Sequence, residues 1–373
     1  MVGLISYSLY LWHQPVLALM KKSYSIHLEP TQIFISIILT FSLSYLSWKY
    51  VENPFRNKQK FSQNKIFKLS LASIVTVSLC TLLLMQNLYI QKFIFPEKMA
   101  RFEKMLEADE SHSNQVMFDD GCKFWSEKFN SRFVNRFEKC VESHNKAIFI
   151  LGGSHGMDLY NAIAVSTPNP FIVSVSRGFC RAHKFIEDQI KEYNCQYEAF
   201  KSFSAKYSNN ISYVLYTQTP DRLFKVLSLD KATTKDLSMT RLGEVVDYLA
   251  DIKEKYSLNV IMIGMLPPLI KKPIHWDYGQ RFDEQFSGIV SENSINLTKF
   301  VDDVFTSKLK EFEIPYISKF DAFSLEIPRD LIIEGSITYS DNRHISYKGE
   351  KVFGKRLIDN LTNQGYIQFN KSE

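Results

Sequence analysis

The signals of several common function classes are missing from this sequence of 373 residues. No CxxC pair and no cysteine–histidine cluster has the spacing of a zinc site, so we expect no metal site. The net charge is only +5, and acidic and basic residues are interleaved over the C-terminal two thirds, so no basic face predicts nucleic-acid binding. Internal repeats and low-complexity tracts are also absent, which argues against a repeat architecture.

Charge is missing from three long stretches near the N-terminus. These uncharged runs are Met1 to Met20, Thr31 to Trp48 and Leu69 to Gln91. About 20 helical residues cross the hydrocarbon core of a bilayer, so each run predicts a transmembrane helix. A signal peptide would need basic residues before the first run and a small-residue cleavage site after it, and both are lacking.

Positive charge is concentrated between the second and third uncharged runs. Residues 49–68 contain six basic side chains and one acidic side chain, Glu52. Short basic loops stay in the cytoplasm, so the third run should lead outward and leave everything after Lys92 outside the cytoplasm. Lys21 and Lys22 would then lie on the outer side, which opposes this orientation. The six basic residues of 49–68 outweigh these two.

The remainder of the chain alternates short apolar runs with helical patterns. Strands are predicted at Ala147–Leu151, Phe171–Val175, Ile211–Tyr216, Val260–Met265 and, more weakly, Pro315–Phe320. Helical periodicity between them, as at Leu237–Tyr256, predicts a three-layer αβα domain around a roughly five-stranded parallel sheet.

These patterns divide the chain into five parts. The predicted parts are two membrane helices in 1–50, a basic cytoplasmic loop in 51–68, a third membrane helix in 69–91, a linker and lead-in with a helix from Glu97 to Glu110 in 92–145, and the α/β domain in 146–373.

The five cysteines divide by their predicted location. Cys80 falls inside the third membrane span, which leaves Cys122, Cys140, Cys180 and Cys195 outside. An even number of cysteines in an oxidising compartment favours disulfides over free thiols. Pairing of neighbours, Cys122 with Cys140 and Cys180 with Cys195, is the simplest of the three possible connectivities.

A serine follows the first predicted strand of the α/β domain. The apolar run from Ala147 continues directly into Gly152, Gly153, Ser154, His155 and Gly156. Ligands of open α/β sheets bind beyond the carboxyl ends of the strands, where the next helix directs its N–H groups at an anion. Ser154 is therefore a candidate nucleophile. The alternative is a glycine–serine turn or a phosphate-binding loop.

A candidate base lies near the far end of the chain. Asp341 and His344 have a D-x-x-H spacing, which lets the carboxylate reach Nδ1 of the imidazole and leave Nε2 free to take a proton. The pair lies after the last predicted strand and before a helical segment, Lys348–Leu361, so it should share the sheet edge with Ser154. Four other histidines are weaker candidates: His155, which adjoins the serine and could shape its turn, and His144, His183 and His275, which lack an acidic partner at a suggestive spacing.

Together these motifs resemble two known families. The G-[DG]-S-H turn with a C-terminal D-x-x-H resembles the SGNH hydrolases. The segments GLISYSLYLWHQPV and YVENPFR resemble the last two membrane helices of the membrane acyltransferase family 3. One branch of that family carries an extra membrane helix, a linker and an extracytoplasmic SGNH domain, and it O-acylates cell-surface carbohydrates.

The resemblance assigns roles to individual residues. It implies Ser154 as nucleophile, His344 as general base and Asp341 as the group that orients His344. The oxyanion hole would use the N–H groups of Ser154 and Gly178. The family's third donor, an asparagine, is not matched, because this chain has Thr217 and Gln218 there, and Gly153 replaces the usual aspartate before the serine.

The resemblance also implies a cellular setting. It predicts a multi-pass protein of the bacterial inner membrane with a periplasmic C-terminal domain, no bound cofactor, and acetyl-CoA as donor through the membrane part. The acceptor would be a polysaccharide or lipopolysaccharide hydroxyl. The family's early helices are not matched, and without them this chain alone could not carry an acyl group across the membrane. Two interpretations stay open: a truncated sequence, or a separate polypeptide that supplies those helices.

Two other functions remain open at this stage. The domain could be a membrane-tethered carbohydrate esterase or an inactive remnant that scaffolds a partner. Trp276 and Tyr278 could form a platform for a sugar ring or could pack in the core.

Overall fold

A computed structural model describes residues 2–23, 30–56, 62–113, 117–182, 195–226, 228–276 and 289–368. The chain divides into two compact units, Met1–Gln91 and Lys92–Glu373. Two residues considered above, His183 and Tyr278, lie outside the described residues.

The N-terminal region is helical throughout its described part. Its elements are α1 (Val2–Ser23), α2 (Pro30–Ser47), a π-helical turn (Trp48–Glu52), α3 (Asn53–Arg56) and α4 (Gln63–Ile94). Helices α1 and α2 pack against each other.

The sequence predicts three membrane spans, but the structure supports only one. Among the described residues, the 23-residue helical stretch Pro30–Glu52 is long and apolar enough to cross a bilayer. The apolar part found in α4, Phe67–Leu79, is too short. In α1, polar side chains such as His13 and Gln14 lower the mean hydropathy. A single such helix near an N-terminus is weak evidence of membrane insertion.

The second unit alternates helices with parallel strands. Its elements are α5 (Pro96–Ser113), β1 (Lys123–Ser126), α6 (Ser131–His144), β2 (Ala147–Gly152), α7 (Ser154–Ser166), β3 (Ile172–Ser176), α8 (Tyr197–Tyr207), β4 (Ile211–Thr217), α9 (Met239–Tyr256), β5 (Val260–Ile263), α10 (Glu292–Lys310), β6 (Tyr316–Ile317), α11 (Lys319–Ala322), a hairpin of β7 (Ile332–Ile333) and β8 (Ser336–Ile337), and α12 (Tyr347–Asn363).

The main sheet has six strands, in the order β1-β3-β2-β4-β5-β6, and all neighbours are parallel. The predicted parallel α/β domain is therefore confirmed, with one strand more than expected. The additional strand is β1, an edge strand in which Phe124 alone is fully buried. Its four residues include Lys123 and Ser126, so no apolar run marks it in the sequence.

Helices cover both faces of this sheet. Along β2, Phe149 and Leu151 face a core built with α6, α8, α9 and α10. Ile148 and Ile150 face a second core built with α5, α7 and α12. A strand buried on both faces is continuously apolar, which is why the sequence marks β2 so clearly.

Two packed helices of the second unit, α7 and α12, bring together the two ends of the candidate site. Helix α7 begins at Ser154, and α12 begins three residues after His344. A Cβ atom added to Gly354 of α12 would lie 2.0 Å from the carbonyl oxygen of Ala162 of α7. Only glycine permits this approach of the two backbones.

Both expected disulfides are present. Cys122 pairs with Cys140 and Cys180 pairs with Cys195, with Cα–Cα distances of 5.6 and 5.4 Å. The first joins the residue before β1 to α6, and the second joins the segment after β3 to the segment that leads into α8. The local pairing predicted from the cysteine count is confirmed.

Candidate active site

The strand register aligns three chain segments at one edge of the sheet. Gly152, the last residue of β2, pairs with Ser176 of β3 on one side and with Thr217 of β4 on the other. The residues that follow these strands therefore emerge side by side at the carboxyl edge. They include Ser154 and Gln218.

Two glycines allow the chain to turn sharply between β2 and α7. A Cβ at Gly152 would lie 2.5 Å from the carbonyl oxygen of Thr217, and one at Gly153 would lie 2.6 Å from that of Cys180. The backbone contact with Cys180 gives a physical reason for glycine at position 153 instead of aspartate. Ser154 is then the first residue of α7.

The structure brings Ser154, His344 and Asp341 into one hydrogen-bonded line. The Oγ of Ser154 lies 2.7 Å from Nε2 of His344, and Nδ1 of His344 lies 2.9 Å from Oδ2 of Asp341. The other carboxylate oxygen of Asp341 accepts the backbone N–H groups of Arg343 (2.7 Å) and His344 (2.8 Å). These bonds fix the carboxylate, which in turn fixes the imidazole.

In Asp341 and His344, hydrogen bonds and neighbouring charges shift each pKa in the direction opposite to the shift caused by burial. Burial favours the neutral form of Asp341, but its hydrogen bonds and the charge of His344 lower the pKa of the carboxyl below its usual range. Burial also disfavours the imidazolium of His344, but the carboxylates of Asp158 and Asp341 raise the pKa of the ring above its ordinary value. His344 is thus suited to hold a proton during a reaction.

Asp158 is a buried acidic residue of the site that the sequence reasoning missed. It lies four positions after Ser154, on the same face of α7. Its Oδ2 accepts the backbone N–H of Ile345 at 3.4 Å, which links α7 to the loop that carries His344. Burial raises the pKa of this carboxyl, while the charges of His344 and Lys319 act in the opposite direction. The i,i+4 spacing from Ser154 is the sequence signal that could have found it.

His155, which follows the nucleophile candidate, is enclosed beside the base. It is 3% exposed, and its ring centroid lies 5.1 Å from that of His344. Burial and the neighbouring charge of His344 hold the pKa of His155 well below the usual value, so its ring is neutral. Within the described residues its two ring nitrogens have no hydrogen-bond partner.

A small cavity opens beside Ser154. It has a volume of about 20 Å³ and is lined by residues that follow β2, β3 and β4. These residues are Gly153, Ser154, His155, Phe179, Cys180, Arg181, Gln218 and Thr219. A space of this size holds about one water molecule, and therefore one oxygen atom of a substrate.

Gln218 presents an amide donor at this cavity. The hydroxyl of Tyr216 accepts the backbone N–H of Ala182 at 3.2 Å and donates to Oε1 of Gln218 at 2.6 Å. The remaining amide atom of Gln218 is the donor Nε2, which is buried and has no partner among the described residues.

Thr217, the other residue considered for this donor position, is used elsewhere. Its hydroxyl donates to the carbonyl oxygen of Gly264 and accepts from Nζ of Lys319, both at 3.1 Å. These bonds tie the end of β4 to β5 and α11. The geometry therefore favours Gln218 over Thr217.

Gly178 lies in the turn that follows β3, but it is not one of the described residues that line the cavity. The backbone N–H of Cys180 donates to the carbonyl oxygen of Arg177 and closes this turn. Phe179 occupies it with a φ of 68° and a side chain that is 57% exposed. The cavity wall from this segment is built by Phe179, Cys180 and Arg181.

The remaining candidates lie apart from this arrangement. His144 ends α6, and His275 belongs to a 3₁₀ turn, Pro273–His275. Trp276 is 4% exposed and packs in the core with α5 and α12, so the structure supports core packing, the second of the two interpretations of Trp276. In the described part of the chain, no group of three or more His, Cys, Asp or Glu residues has a metal-binding arrangement.

Comparisons with known proteins give similarities of structure only. No family model matches the sequence, and no curated protein matches it. The periplasmic domain of a lipopolysaccharide acetyltransferase from Salmonella ser. Paratyphi A is 17% identical, with 69% of this chain and 96% of that chain covered, at a TM-score of 0.48.

Two esterases are also structurally similar. A carbohydrate acetylesterase from Sinorhizobium meliloti is 11% identical over 59% of this chain and 99% of that chain, at a TM-score of 0.37. An aryl esterase from M. smegmatis is 10% identical over 58% of this chain and 99% of that chain, at a TM-score of 0.35. Because these values are low, the functional conclusion depends on the geometry of the site.

Proposed function

We propose that this chain is a serine-dependent O-acyltransferase of the SGNH type, which transfers a small acyl group to a hydroxyl of a surface carbohydrate. The observation that carries the proposal is the line from Ser154 through His344 to Asp341, with contacts of 2.7 and 2.9 Å. This arrangement activates a hydroxyl whose own pKa is too high for it to react unaided.

In the first half of the reaction, Ser154 takes the acyl group from its donor. The Oγ forms a bond to the acyl carbonyl carbon while its proton moves to Nε2 of His344. The electron pair of the carbonyl moves to oxygen, next to the N–H of Ser154 at the start of α7 and the amide of Gln218. The leaving group then departs with the proton from His344, and an acyl-serine remains.

In the second half, an acceptor hydroxyl repeats these steps in reverse. His344 takes its proton, the acceptor oxygen attacks the acyl-serine, and Ser154 leaves with the proton returned by His344. Water and sugar hydroxyls can both act as acceptor, so the surroundings of the site decide between transfer and hydrolysis.

A second cavity supports a polar acceptor. It has a volume of about 120 Å³ and is lined in part by Asn342 and Arg343, which lie between Asp341 and His344 in the chain. Asp221 also lines it, and pairs with Arg343 at 2.9 Å. A hydroxyl-rich molecule can satisfy such donors and acceptors close to the base.

We place the reaction in the periplasm, with the N-terminal helices in the inner membrane. The helical stretch Pro30–Glu52 and the basic residues that follow it support this setting, and two disulfides favour an oxidising compartment. The proposed donor is acetyl-CoA, with the acyl group delivered through the membrane part.

The test uses the full chain in detergent with 4-nitrophenyl acetate as donor. We expect Ser154→Ala to lower the rate of nitrophenol release by a factor of at least about 10³. Ser202→Ala, the same substitution at an exposed position of α8, should keep the wild-type rate. Equal rates for the Ser154 variant and the wild type would overturn the proposal.

A polysaccharide acceptor separates the two enzymatic functions. Transfer predicts that added de-O-acetylated polysaccharide becomes acetylated at the expense of free acetate. Acetate release that no acceptor diverts would assign the chain to the alternative, a carbohydrate esterase.

A further inference from the structure

A cavity of about 350 Å³ lies beside the edge strand β1, and the proposed mechanism does not use it. This β1 cavity is bounded by β1 itself, by the residues that follow β1 and by the first turns of α6. Small-molecule sites of proteins have volumes of about 300–1,000 Å³. The β1 cavity is therefore large enough for a ligand of the size of a sugar unit.

Apolar and charged side chains both line the β1 cavity. The apolar ones include the buried rings of Phe124 and Phe133. Arg136 lies over the ring of Phe124 at 4.5 Å from its centroid and pairs with Asp119. Three further charged lining residues are exposed to solvent: Glu127, Lys128 and Arg132. A sugar ring has apolar C–H faces and hydroxyls at its edge, so this lining suits a carbohydrate better than a purely apolar ligand.

The strand order connects the β1 cavity with Ser154. Strand β1 pairs with β3, and β3 pairs with β2, the strand that leads to Ser154. Ser126, the last residue of β1, lies opposite Val175, which precedes the partner of Gly152 in the register. The three strands thus end at nearly the same level. Neighbouring strands are about 4.8 Å apart, so the end of β1 lies roughly 10 Å from the end of β2.

Two contacts and a small cavity fill the space between these strand ends. Nε1 of Trp125, which lines the β1 cavity, donates to the carbonyl oxygen of Ser176 at 3.0 Å. Glu127 pairs with Arg177, with 3.9 Å between Oε2 and Nε. A cavity of about 10 Å³ shares Glu127 with the β1 cavity and Cys180 with the cavity beside the nucleophile. The β1 cavity and the nucleophile are therefore joined along the carboxyl edge of the sheet.

On the other side of Ser154 lies the cavity of about 120 Å³ that is lined by Asp221 and Arg343. It too is joined to the nucleophile, because Thr219 lines the cavity beside Ser154 and its hydroxyl donates to Oδ1 of Asp221. Thr219 and Asp221 follow β4, the neighbour of β2 on the side away from β3. This Asp221 cavity also has an apolar part, formed by Leu229, Pro268, Leu269 and Ile270.

The position of Ser154 between two cavities indicates the size of the acceptor. A single sugar needs one cavity beside the nucleophile, and the end of a chain needs contacts on one side only. Cavities on both sides provide room for the units that precede and follow the acylated one. Contacts remote from the reacting hydroxyl raise the rate when they hold the acceptor in position.

We propose that the acceptor is a chain of several sugar units that binds across the carboxyl edge of the sheet and is acylated on an inner unit. The β1 cavity binds units on one side of that inner unit, and the Asp221 cavity binds units on the other side. This inference rests on the proposed function, for which it names the class of acceptor and a second binding region.

The test compares acceptors of different length with the full chain in detergent. The acceptors are fragments of the de-O-acetylated polysaccharide, separated into pools of two and of six sugars, and the donor is 4-nitrophenyl acetate. Mass spectrometry measures the acetylated fragments. A second reagent, an alkyl fluorophosphonate, phosphonylates an activated serine with loss of fluoride and reports on Ser154 without any acceptor.

We expect kcat/KM for transfer to be at least about tenfold higher with six sugars than with two, because only the longer fragments reach the β1 cavity. Arg132→Ala removes a charged donor from the lining of the β1 cavity and should lower this ratio by about 3- to 10-fold, the effect of one lost hydrogen bond. Lys128→Ala should act in the same direction. The matched control is Lys139→Ala, which removes an exposed cation of α6 outside the lining and should leave the ratio unchanged.

Two results would overturn this inference and leave the proposed function intact. One is equal kcat/KM for short and long fragments, and the other is a ratio that both Arg132→Ala and Lys128→Ala leave at the wild-type value. A chain that is labelled at Ser154 but acetylates no fragment of either length would instead refute the proposed transfer, and this inference with it. Absence of labelling at Ser154 would refute the serine mechanism itself, so the failures are distinguishable.

Discussion

At the scale of single residues, the site depends on the protonation state of His344. The imidazole must be neutral to accept the proton of Ser154, so kcat/KM should rise as pH rises through the pKa of His344. That pKa is raised above the ordinary value of 6.5, in part by the negative charge of Asp158.

Asp158→Asn should therefore move the rise of kcat/KM to lower pH. Removing the negative charge makes the imidazolium less stable, so the pKa of His344 should fall and the whole profile should shift with it. The measurement is the hydrolysis of 4-nitrophenyl acetate between pH 5 and 9. The matched control is Asp359→Asn, which removes a carboxylate near the far end of α12 and should leave the profile in place. A lower plateau without displacement would show that Asp158 acts through its hydrogen bonds and not through its charge.

The proposed oxyanion donor Gln218 depends on tertiary contacts for its orientation, unlike Asp341 and His344, which are close together in the sequence. Gln218 has no distinguishing sequence context, and its amide is oriented only because Tyr216 accepts from Ala182 and donates to Oε1 of Gln218. Such a chain of bonds depends on two strands and a turn, so it cannot be inferred from the neighbouring sequence.

At the scale of elements, the pair of helices α7 and α12 sets the distance between nucleophile and base. Gly354 lets α12 approach the carbonyl of Ala162, and a methyl group there would lie 2.0 Å from that oxygen. We expect Gly354→Ala to lower the free energy of unfolding by about 1–3 kcal/mol, the usual cost of overpacking. The activity should fall as well, because α7 and α12 carry or adjoin Ser154 and His344.

The matched control for this prediction is another helical glycine. Gly243 of α9 has no neighbouring atom within 4 Å of the position that a methyl group on its Cα would take, so nothing opposes the added group. Gly243→Ala should increase the free energy of unfolding by about 0.5–1 kcal/mol, because alanine favours the helix. Urea unfolding of both variants measures the difference, and a stabilised Gly354→Ala protein would contradict the close contact between α7 and α12.

At the scale of the whole molecule, the two disulfides should contribute equally to the stability of the protein, but only one should affect its activity. They close segments of similar length, with sequence separations of 18 and 15 residues. The chain-entropy model assigns roughly 3 kcal/mol to each. We expect Cys122→Ser/Cys140→Ser and Cys180→Ser/Cys195→Ser to lower the unfolding midpoint by similar amounts.

Only the second pair of substitutions should reduce activity. Cys180 lines the cavity beside Ser154, and its carbonyl packs against Gly153, whereas the described contacts of Cys122 and Cys140 lie in the core formed with α6. The measurement is the rate of fluorophosphonate labelling of each folded variant. Equal labelling rates would show that the disulfide at Cys180 has no part in shaping the cavity.

The parts of the fold that could be predicted are those with a local cause. Strand β2 is apolar throughout because both of its faces are buried, and the turn after it is marked by glycines. Strand β1 was not found because an edge strand needs few apolar residues. The membrane prediction exceeded what the structure supports, since an uncharged run such as α1 can still be too polar to qualify as a span.

The sequence by itself determined the α/β class and the Ser154, Asp341 and His344 candidates, because each has a signature within a few residues. It left three disulfide connectivities open, and the structure decided for the local pairing. The tertiary structure alone decided that Ser154 and His344, 190 positions apart, are in contact, and that Gln218 and Arg181 share a cavity with the nucleophile. The physical reason is the strand register. It places the ends of β2, β3 and β4 side by side, and the neighbours so created are not adjacent in the chain.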